Sequence, residues 1–401
     1  MTENRNVLFE QPLDSFEYEF VKSYLFGAFS DTLVDAAMKV VRCVGYSSLS
    51  HLPEAPEQID AGSVSRSLIK NDVLNVTIEW KQEIYEMVVS KNYTAHDGIY
   101  TVAYCHGLST KAANPKELME YVLRKAIGNS LFKNEVVQLH MDSSGEHVQM
   151  GPVSPKTRTL SSLCLSHSVM DSMAMFVHAV NEYAHLRMPL RYLLNGKPGT
   201  GKTETIRGIM DACKGKATFV LVERGVDLKV AFDFAACFET AVLCLDDVDL
   251  LCGNRRRMGE RYQLSDFLSV MDGFMPSNVF VLATTNDKDL VDSAASRPGR
   301  FDAILDFQSL EPEHYKRLID DRCASPELAG LFDEAVLRKL EDKQVTGAFV
   351  VSLLKHLELR RSFAPGTVGR DFILDTIERL YQGFYRTPSD SRRTIGFEIS
   401  N

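Results

Sequence analysis

Two short segments of this chain carry groups suited to holding a phosphate chain and a divalent cation. The first is Gly196-Lys197-Pro198-Gly199-Thr200-Gly201-Lys202-Thr203, which fits the pattern G-x-x-x-x-G-K-[ST]. Its glycines let backbone N–H groups curl round an anion where any side chain would obstruct the approach. Lys202 offers a cation to β- and γ-phosphates, and the Thr203 hydroxyl can ligate magnesium. The second is an apolar run ending in acids, Ala241-Val242-Leu243-Cys244-Leu245-Asp246-Asp247-Val248-Asp249. A strand leaving beside a phosphate loop places one carboxylate, Asp246, on the magnesium shell and the next, Asp247, on an attacking water. Alone, such a strand end is commonly no more than solvated; downstream of a phosphate loop in the same sheet it reads as chemistry.

The surrounding pattern supplies the elements that must hold these groups. Leu190–Asn195 is a short apolar run suited to a buried strand just ahead of the loop, and Glu204–Cys213 reads as the helix that follows it. Further runs of the same kind stand at Thr218–Val222, Ala241–Leu245, Val279–Ala283 and Ala303–Phe307. Strands alternating with helical stretches predict a parallel sheet covered on both faces, an α/β fold. Ser166–Leu186 reads as a helix, as does the chain after Glu311, with breaks near Ser325-Pro326, Val345–Gly347 and Pro365-Gly366.

Residues 1–150 read as a separate mixed α/β unit. Phe20, Leu25, Leu33, Ala37 and Val41 recur at helical steps, and the apolar stretch 20–46 is expected to be a helix pair. Val76–Trp80, Ile84–Val89, Ile99–Tyr104 and Val136–Met141 are rich in β-branched and aromatic residues and predict strands, with a helix over Pro115–Ala126. Met150-Gly151-Pro152-Val153-Ser154-Pro155 has linker composition, and the boundary is placed there.

With both chemical segments in hand, the stretch 157–386 resembles an AAA+ ATPase module of the AAA subfamily proper. The phosphate loop departs from that family's usual form only at Lys197, and Leu245–Leu250 echoes its L-D-E-[IV]-D. Val281–Asn286 is similar to the sensor-1 strand, whose terminal polar residue, here Asn286, reads the γ-phosphate. Ser296-Arg297-Pro298-Gly299-Arg300-Phe301-Asp302 is similar to the second region of homology, whose arginines act as fingers on a neighbouring subunit's nucleotide. The resemblance implies ATP and Mg2+ as cofactors. Gly196, Pro198, Gly199, Thr200, Gly201, Lys202, Thr203 and Glu204 would hold the nucleotide, with Gly347 and Ala348 from the lid. Thr203 and Asp246 would hold the metal, and Lys202, Asp247, Asn286, Arg297 and Arg300 would be catalytic. It divides the chain into a recognition or assembly domain (1–150), a large ATPase subdomain (157–310), a helical lid (311–386) and a tail (387–401). Leu163–Leu165 lie where the family often places adenine, and a homo-oligomeric ring, commonly a hexamer, acting on a protein partner is implied.

Three departures qualify what is carried over. Asp247 stands where the family usually has glutamate, so its shorter carboxylate reaches a water only from a shifted loop. Val222–Leu228, the counterpart of the family's threading loop, has no aromatic before Gly225, and Phe232 and Phe234 are expected to be core. No H-E-x-x-H occurs, so the zinc-protease half of the membrane-protease relatives is missing. The Tyr192–Gly196 entry also resembles the Bcs-type branch, without that branch's N-terminal membrane span.

Composition narrows the classes further. A net charge of −9 disfavours a nucleic-acid backbone as main partner. Eight scattered cysteines without a C-x-x-C pair fit a reduced, cytoplasmic protein, and Lys22, Asp31, Asp35, Lys39 and Arg42 interrupt the best membrane candidate. His178 and His185 are expected to be packing or surface residues, and Arg255–Arg257 a solvated loop. A remodelling motor, a nucleotide-gated scaffold and, less favoured, a DNA-handling ATPase remain as readings.

Overall fold

The computed structural model describes the chain except residues 1–7, 14, 31–32, 47–56, 59–72, 95–97, 109–113, 142–147, 157, 249–270, 272–277, 287–298, 309, 311 and 385–401. Two sheets organise it. The first contains β1 (Leu8–Leu13), β2 (Met38–Tyr46), β3 (Glu57–Gln58), β4 (Val73–Trp80), β5 (Glu83–Thr94) and β6 (Gly98–Gly107), in the order β1-β6-β5-β4-β2-β3. All its pairings are antiparallel. Helices α1 (Ser15–Phe29) and α2 (Pro115–Gly128) accompany it. Proline at the start of α2 costs no hydrogen bond there, and the Asn114 side chain caps the helix by accepting from Glu117 N.

The second sheet contains β7 (Val136–Met141), β8 (Val148–Pro152), β9 (Arg191–Gly196), β10 (Thr218–Val222), β11 (Ala241–Leu245), β12 (Val279–Thr285) and β13 (Ala303–Phe307). Its order is β13-β9-β12-β11-β10-β7-β8. Helices α3 (His167–Glu182), α4 (Lys202–Ala212) and α5 (Leu228–Ala236) follow in the chain. The remaining helices are α6 (Pro312–Arg322), α7 (Pro326–Gly330), α8 (Glu334–Asp342), α9 (Gly347–Phe363) and α10 (Arg370–Phe384). The α/β class, the sheet strands and the C-terminal helices with their breaks are as expected.

Two expectations fail. The stretch 38–46 is a strand, not the second helix of a pair. Its helical spacing is overridden by pairing along β4, which suits the run Val40-Val41 and Val44. Met150-Gly151-Pro152 is not linker but the end of β8, antiparallel to β7 at the sheet's edge, where proline's missing donor is tolerated.

The chain divides into two compact units. One comprises residues 1–154, 215–243 and 276–279. Within it β7 runs parallel to β10, Val220 opposite Val137. Phe16 and Phe20 of α1 meet Phe234 of α5 at ring-centroid distances of 4.8 and 6.2 Å, and Phe132 and Phe238 complete the cluster. Phe232 and Phe234 are thus core, as expected. The Asp35 carboxylate accepts from Tyr24 Oη at 2.5 Å and Tyr121 Oη at 2.7 Å, tying the end of α1 to α2.

The other unit comprises residues 155–214, 244–275 and 280–401. Here β12 and β13 both run parallel to β9. Parallel strands end on the same edge, so the segments leaving β9 and β12 are neighbours and a site can form between them. The C-terminal helices close on their own core of Tyr315, Ile319, Leu328, Val336, Leu340, Phe349 and Leu353. No disulfide joins the cysteines among the described residues, and burial pushes the thiols of Cys43, Cys105 and Cys213 up to about 12.

Candidate functional site

The loop between β9 and α4 is built by its glycines. Gly199 and Gly201 adopt φ of +82° and +101°, which side chains with a Cβ disfavour. A Cβ at Gly196 would come 2.3 Å from the Phe307 carbonyl oxygen, and one at Gly199 would meet Ala348 Cβ at 2.7 Å. The lid helix α9 is bonded to the loop at that point, Ala348 N donating to Gly199 O at 3.1 Å. Lys202, only 6% exposed, folds back under the loop. Its ammonium donates to the carbonyls of Gly196 (2.6 Å) and Lys197 (3.1 Å) and to Asn286 Oδ1 (3.0 Å). Thr200 Oγ1 donates to Lys197 O at 2.9 Å, closing the turn.

The two acids leave β11 beside this loop. Asp246 Oδ1 accepts from Thr284 Oγ1 at 2.6 Å and from Thr203 Oγ1 at 3.4 Å. Asp247 sits at φ +52°, a left-handed conformation that aspartate tolerates better than most residues. Its N–H donates to the same Thr284 Oγ1 at 2.8 Å, and its Oδ1 accepts from Asn286 Nδ2 at 2.7 Å. The loop after β11 is therefore turned at the short aspartate. One hydrogen-bonded chain links Lys202, Asn286 and Asp247, and Thr284 joins it to Asp246 and Thr203.

Gly199, Thr200, Gly201, Lys202, Thr203, Asp246, Asp247 and Asn286 line a cavity of about 920 Å³. Pro198, Glu204, Gly347, Ala348 and Leu163–Leu165 line it too, so the site residues expected in the loop, the acids and the lid converge. Glu204 is held by Arg207 and by Arg158 Nε at 3.1 Å, and Arg158 also approaches Asp321 of α6 at 4.0 Å. Sequence reading missed Arg158 and Thr284. Arg158 falls in no motif, and Thr284 lies within the Val281–Asn286 segment but not at its terminal polar position; only the fold brings them to the loop and the acids.

The donor set fits a nucleotide with a divalent cation. A glycine-built loop with a buried ammonium folded beneath it is the donor set that phosphates take. The hard oxygens of Thr203 and Asp246 stand together beside it, as a magnesium shell needs. Among the described residues no group of three or more histidine, cysteine or acidic side chains could hold a metal by itself.

The second-region arginines fare differently. Arg300 is 5% exposed within its own chain, and its segment is tied to β9 by Arg191 Nη1 to Gly299 O (3.1 Å) and Arg191 N to Asp302 Oδ2 (2.8 Å). Arg297 and the cluster 255–261 lie outside the described residues. The Val222–Leu228 segment follows β7 closely: Glu223 N donates to Leu139 O at 3.0 Å, and Gln138 bonds the Glu223 carboxylate. The Asp227 side chain caps α5. His178 and His185 are exposed and make ring contacts with Tyr183, within the packing or surface role expected of them. No helix among the described residues is long and apolar enough to cross a membrane.

Comparison with known proteins gives a consistent picture. Residues 192–309 match the model of the ATPase family associated with various cellular activities (AAA). The chain is 30% identical over 219 residues to an ATP-dependent zinc metalloprotease FtsH 3 of Petrotoga mobilis, covering 49% of this chain and 33% of that protein. It is 32% identical over 190 residues to a 26S proteasome regulatory subunit 6B homolog of Saccharomyces cerevisiae, covering 43% of this chain and 44% of that one. A proteasome-activating nucleotidase 2 of Halobacterium salinarum is 27% identical over 183 residues, with shares of 41% and 44%. The chain thus spans less than half the length of these relatives.

Proposed function

From the match of residues 192–309 to the AAA family model, we propose that the chain is an AAA+ ATPase that binds and hydrolyses ATP in an oligomeric ring, commonly six-membered in this family, and so remodels a protein partner. The observation that carries the reading is the chain from Lys202 Nζ through the Asn286 amide to Asp247 Oδ1.

This geometry supports the following roles. Lys202 exchanges its carbonyl partners for phosphate oxygens, while Gly196, Gly199 and Gly201 leave room for backbone N–H groups to face them. Thr203 and Asp246 would hold magnesium, whose charge would offset that of the phosphates. Thr203 Oγ1 and Asp246 Oδ2 are the oxygens offered to it. Asp247 takes a proton from the attacking water, and Asn286 fixes the carboxylate that does so. Gly347 and Ala348 carry the lid against the loop, with Leu163–Leu165 on the base side of the cavity. The large subdomain is assigned to 157–310, the lid to 311–386 and partner recognition to 1–150. Arg297 is assigned the finger role across the ring. Burial of Arg300 in its own chain favours a structural role for that residue instead. A cytoplasmic setting belongs to the same reading.

The remodelling activity rests on likeness to the protease and proteasome relatives. Threading is the weakest part of that likeness, because the Val222–Leu228 segment has no aromatic before Gly225 and is bonded along β7. A second reading, a nucleotide-gated scaffold, draws on Asp247 itself, since the shorter carboxylate is already engaged by Asn286.

Steady-state ATP turnover per subunit, measured with magnesium over a range of protein concentrations, tests the proposal. A rate that climbs and saturates supports shared sites completed by Arg297. Turnover independent of concentration in a confirmed monomer removes the finger assignment. Tight nucleotide binding with no turnover favours the scaffold.

A further inference from the structure

Thr284 is the last residue but one of a wholly buried strand and is itself 0% exposed, yet its hydroxyl makes two polar contacts at the edge of the site. Its single proton goes to Asp246 Oδ1 at 2.6 Å, and its lone pair receives Asp247 N at 2.8 Å. One hydroxyl therefore fixes the side chain of one acid and the backbone of the next. We propose that Thr284 is a positioning residue that turns Asp246 so that Oδ2 faces the metal and holds Asp247 in the left-handed turn that compensates for its missing methylene. The inference rests on the metal and water roles proposed above for the two acids.

The physical argument has two parts. Asp246 is exposed toward the cavity, and a free carboxylate there would rotate among several orientations. With Oδ1 bonded to Thr284 and approached by Thr203 Oγ1 at 3.4 Å, the ring of orientations collapses to one. The second part concerns the main chain. At φ +52° Asp247 occupies a sparsely populated conformation that persists only where surrounding contacts hold it. The Thr284 hydroxyl bonds its N–H and the Asn286 amide its carboxylate, so the residue is held at both ends. Valine in place of Thr284 keeps the shape and β-branching that the strand needs but leaves Asp247 N–H without its acceptor and Asp246 free to turn.

The test uses the full chain and a fluorescent ATP analogue, titrated once with Mg2+ and once with EDTA, alongside thermal melting. The expected result is that T284V binds the analogue in EDTA with wild-type affinity and loses about tenfold in Mg2+, the size of a lost charge-assisted hydrogen bond. T284S, which keeps the hydroxyl, behaves as wild type in both. Turnover of T284V falls by more than its affinity does. T284V with the wild-type Mg2+ dependence overturns the proposal, as does T284S losing that dependence alongside it. Should T284V fail to melt cooperatively, T284A removes the same hydroxyl with less bulk and is judged by the same outcomes. A wild-type protein that binds with Mg2+ dependence but does not turn over would sink the hydrolysis reading and still leave this comparison decisive.

Discussion

Asn286 Nδ2 stands 2.7 Å from Asp247 Oδ1, while the oxygen of the same amide receives the Lys202 ammonium at 3.0 Å. The two contacts fix which way the amide faces, because only its nitrogen can donate and only its oxygen can accept from a lysine. Asn286 thus bridges a cation and a carboxylate through the two ends of one amide. Replacing it with alanine is expected to lower kcat by about 10²-fold, in the range of a misplaced general base, with little change in ATP affinity. Parallel measurement of kcat and of equilibrium binding checks this, and an unchanged kcat would remove Asn286 from the reaction.

Gly199 and Gly201 separate backbone strain from collision. Both have positive φ, but a Cβ at Gly199 meets Ala348 Cβ at 2.7 Å and Thr346 Oγ1 at 2.9 Å, whereas nothing lies within 4 Å of one at Gly201. Each alanine variant carries strain of about 1–3 kcal/mol. Gly199→Ala is expected to melt lower than Gly201→Ala and to weaken ATP binding further, because the lid must lift off the loop. Equal melting points and affinities for the two variants would mean that the lid contact has no weight.

Arg300 and Arg297 are predicted to part company. Removing the buried guanidinium in Arg300→Ala strands its partners and is expected to cost about 3 kcal/mol or more of stability, visible as a lower Tm. Arg297→Ala is expected to keep the wild-type Tm and lose turnover by about 10³-fold, as a finger would. Subunit mixing gives the sharper check: Arg297→Ala subunits should be rescued by subunits that cannot bind ATP, and no rescue in mixed rings would place Arg297 in its own site.

Asp35 gives the N-terminal unit a defined response to acid. Burial alone would raise its pKa, but hydrogen bonds from Tyr24, Tyr121 and the Ala37 backbone, with Lys125 nearby, hold it below the ordinary carboxylate value. A depressed carboxylate stabilises the fold above its unfolded pKa, and that contribution drains away as pH falls through the folded value. The wild type should therefore lose stability below about pH 4. Asp35→Asn should start about 1–2 kcal/mol lower at neutral pH and lack that part of the decline. Urea midpoints from pH 3 to 7 decide it, and parallel curves for the two proteins would refute the assignment. Tyr121, pushed up to about 12 by burial and by its bond to Asp35, has the opposite sign. Its contribution is complete below the ordinary tyrosine range and is lost as pH rises toward the folded value.

Much of this arrangement could be read from residues in a row. The runs Thr218–Val222, Ala241–Leu245 and Ala303–Phe307 are short, apolar and bounded by polar residues, and each is a strand over those residues. The phosphate loop and the acid pair are legible because their chemistry demands particular residues at fixed spacing. The strand at Met38–Tyr46 was not legible. Leu33, Ala37 and Val41 fall at helical steps by coincidence, and pairing with β4, which includes an irregularity between Val40 and Arg42, decides the outcome. Thr284 was hidden for another reason. Within Val279–Thr285 it looks like one more core residue, and its partners Asp246 and Asp247 are 38 and 37 positions away.

The place of β7 alters how portable the ATPase region is. Strand β10 is lined by residues from well before the phosphate loop, with Phe219 N bonded to Glu135 O and Glu223 N to Leu139 O. A chain trimmed to begin at Pro155 would bare one edge of that strand, leaving unpaired N–H and C=O groups as a template for other chains. It would also uncover Phe234 on α5 and Phe238 just after it, which α1 and Phe132 now cover. Transplanting this nucleotide site into another protein therefore means carrying residues 136–152 along, or accepting a sheet that aggregates at its raw edge.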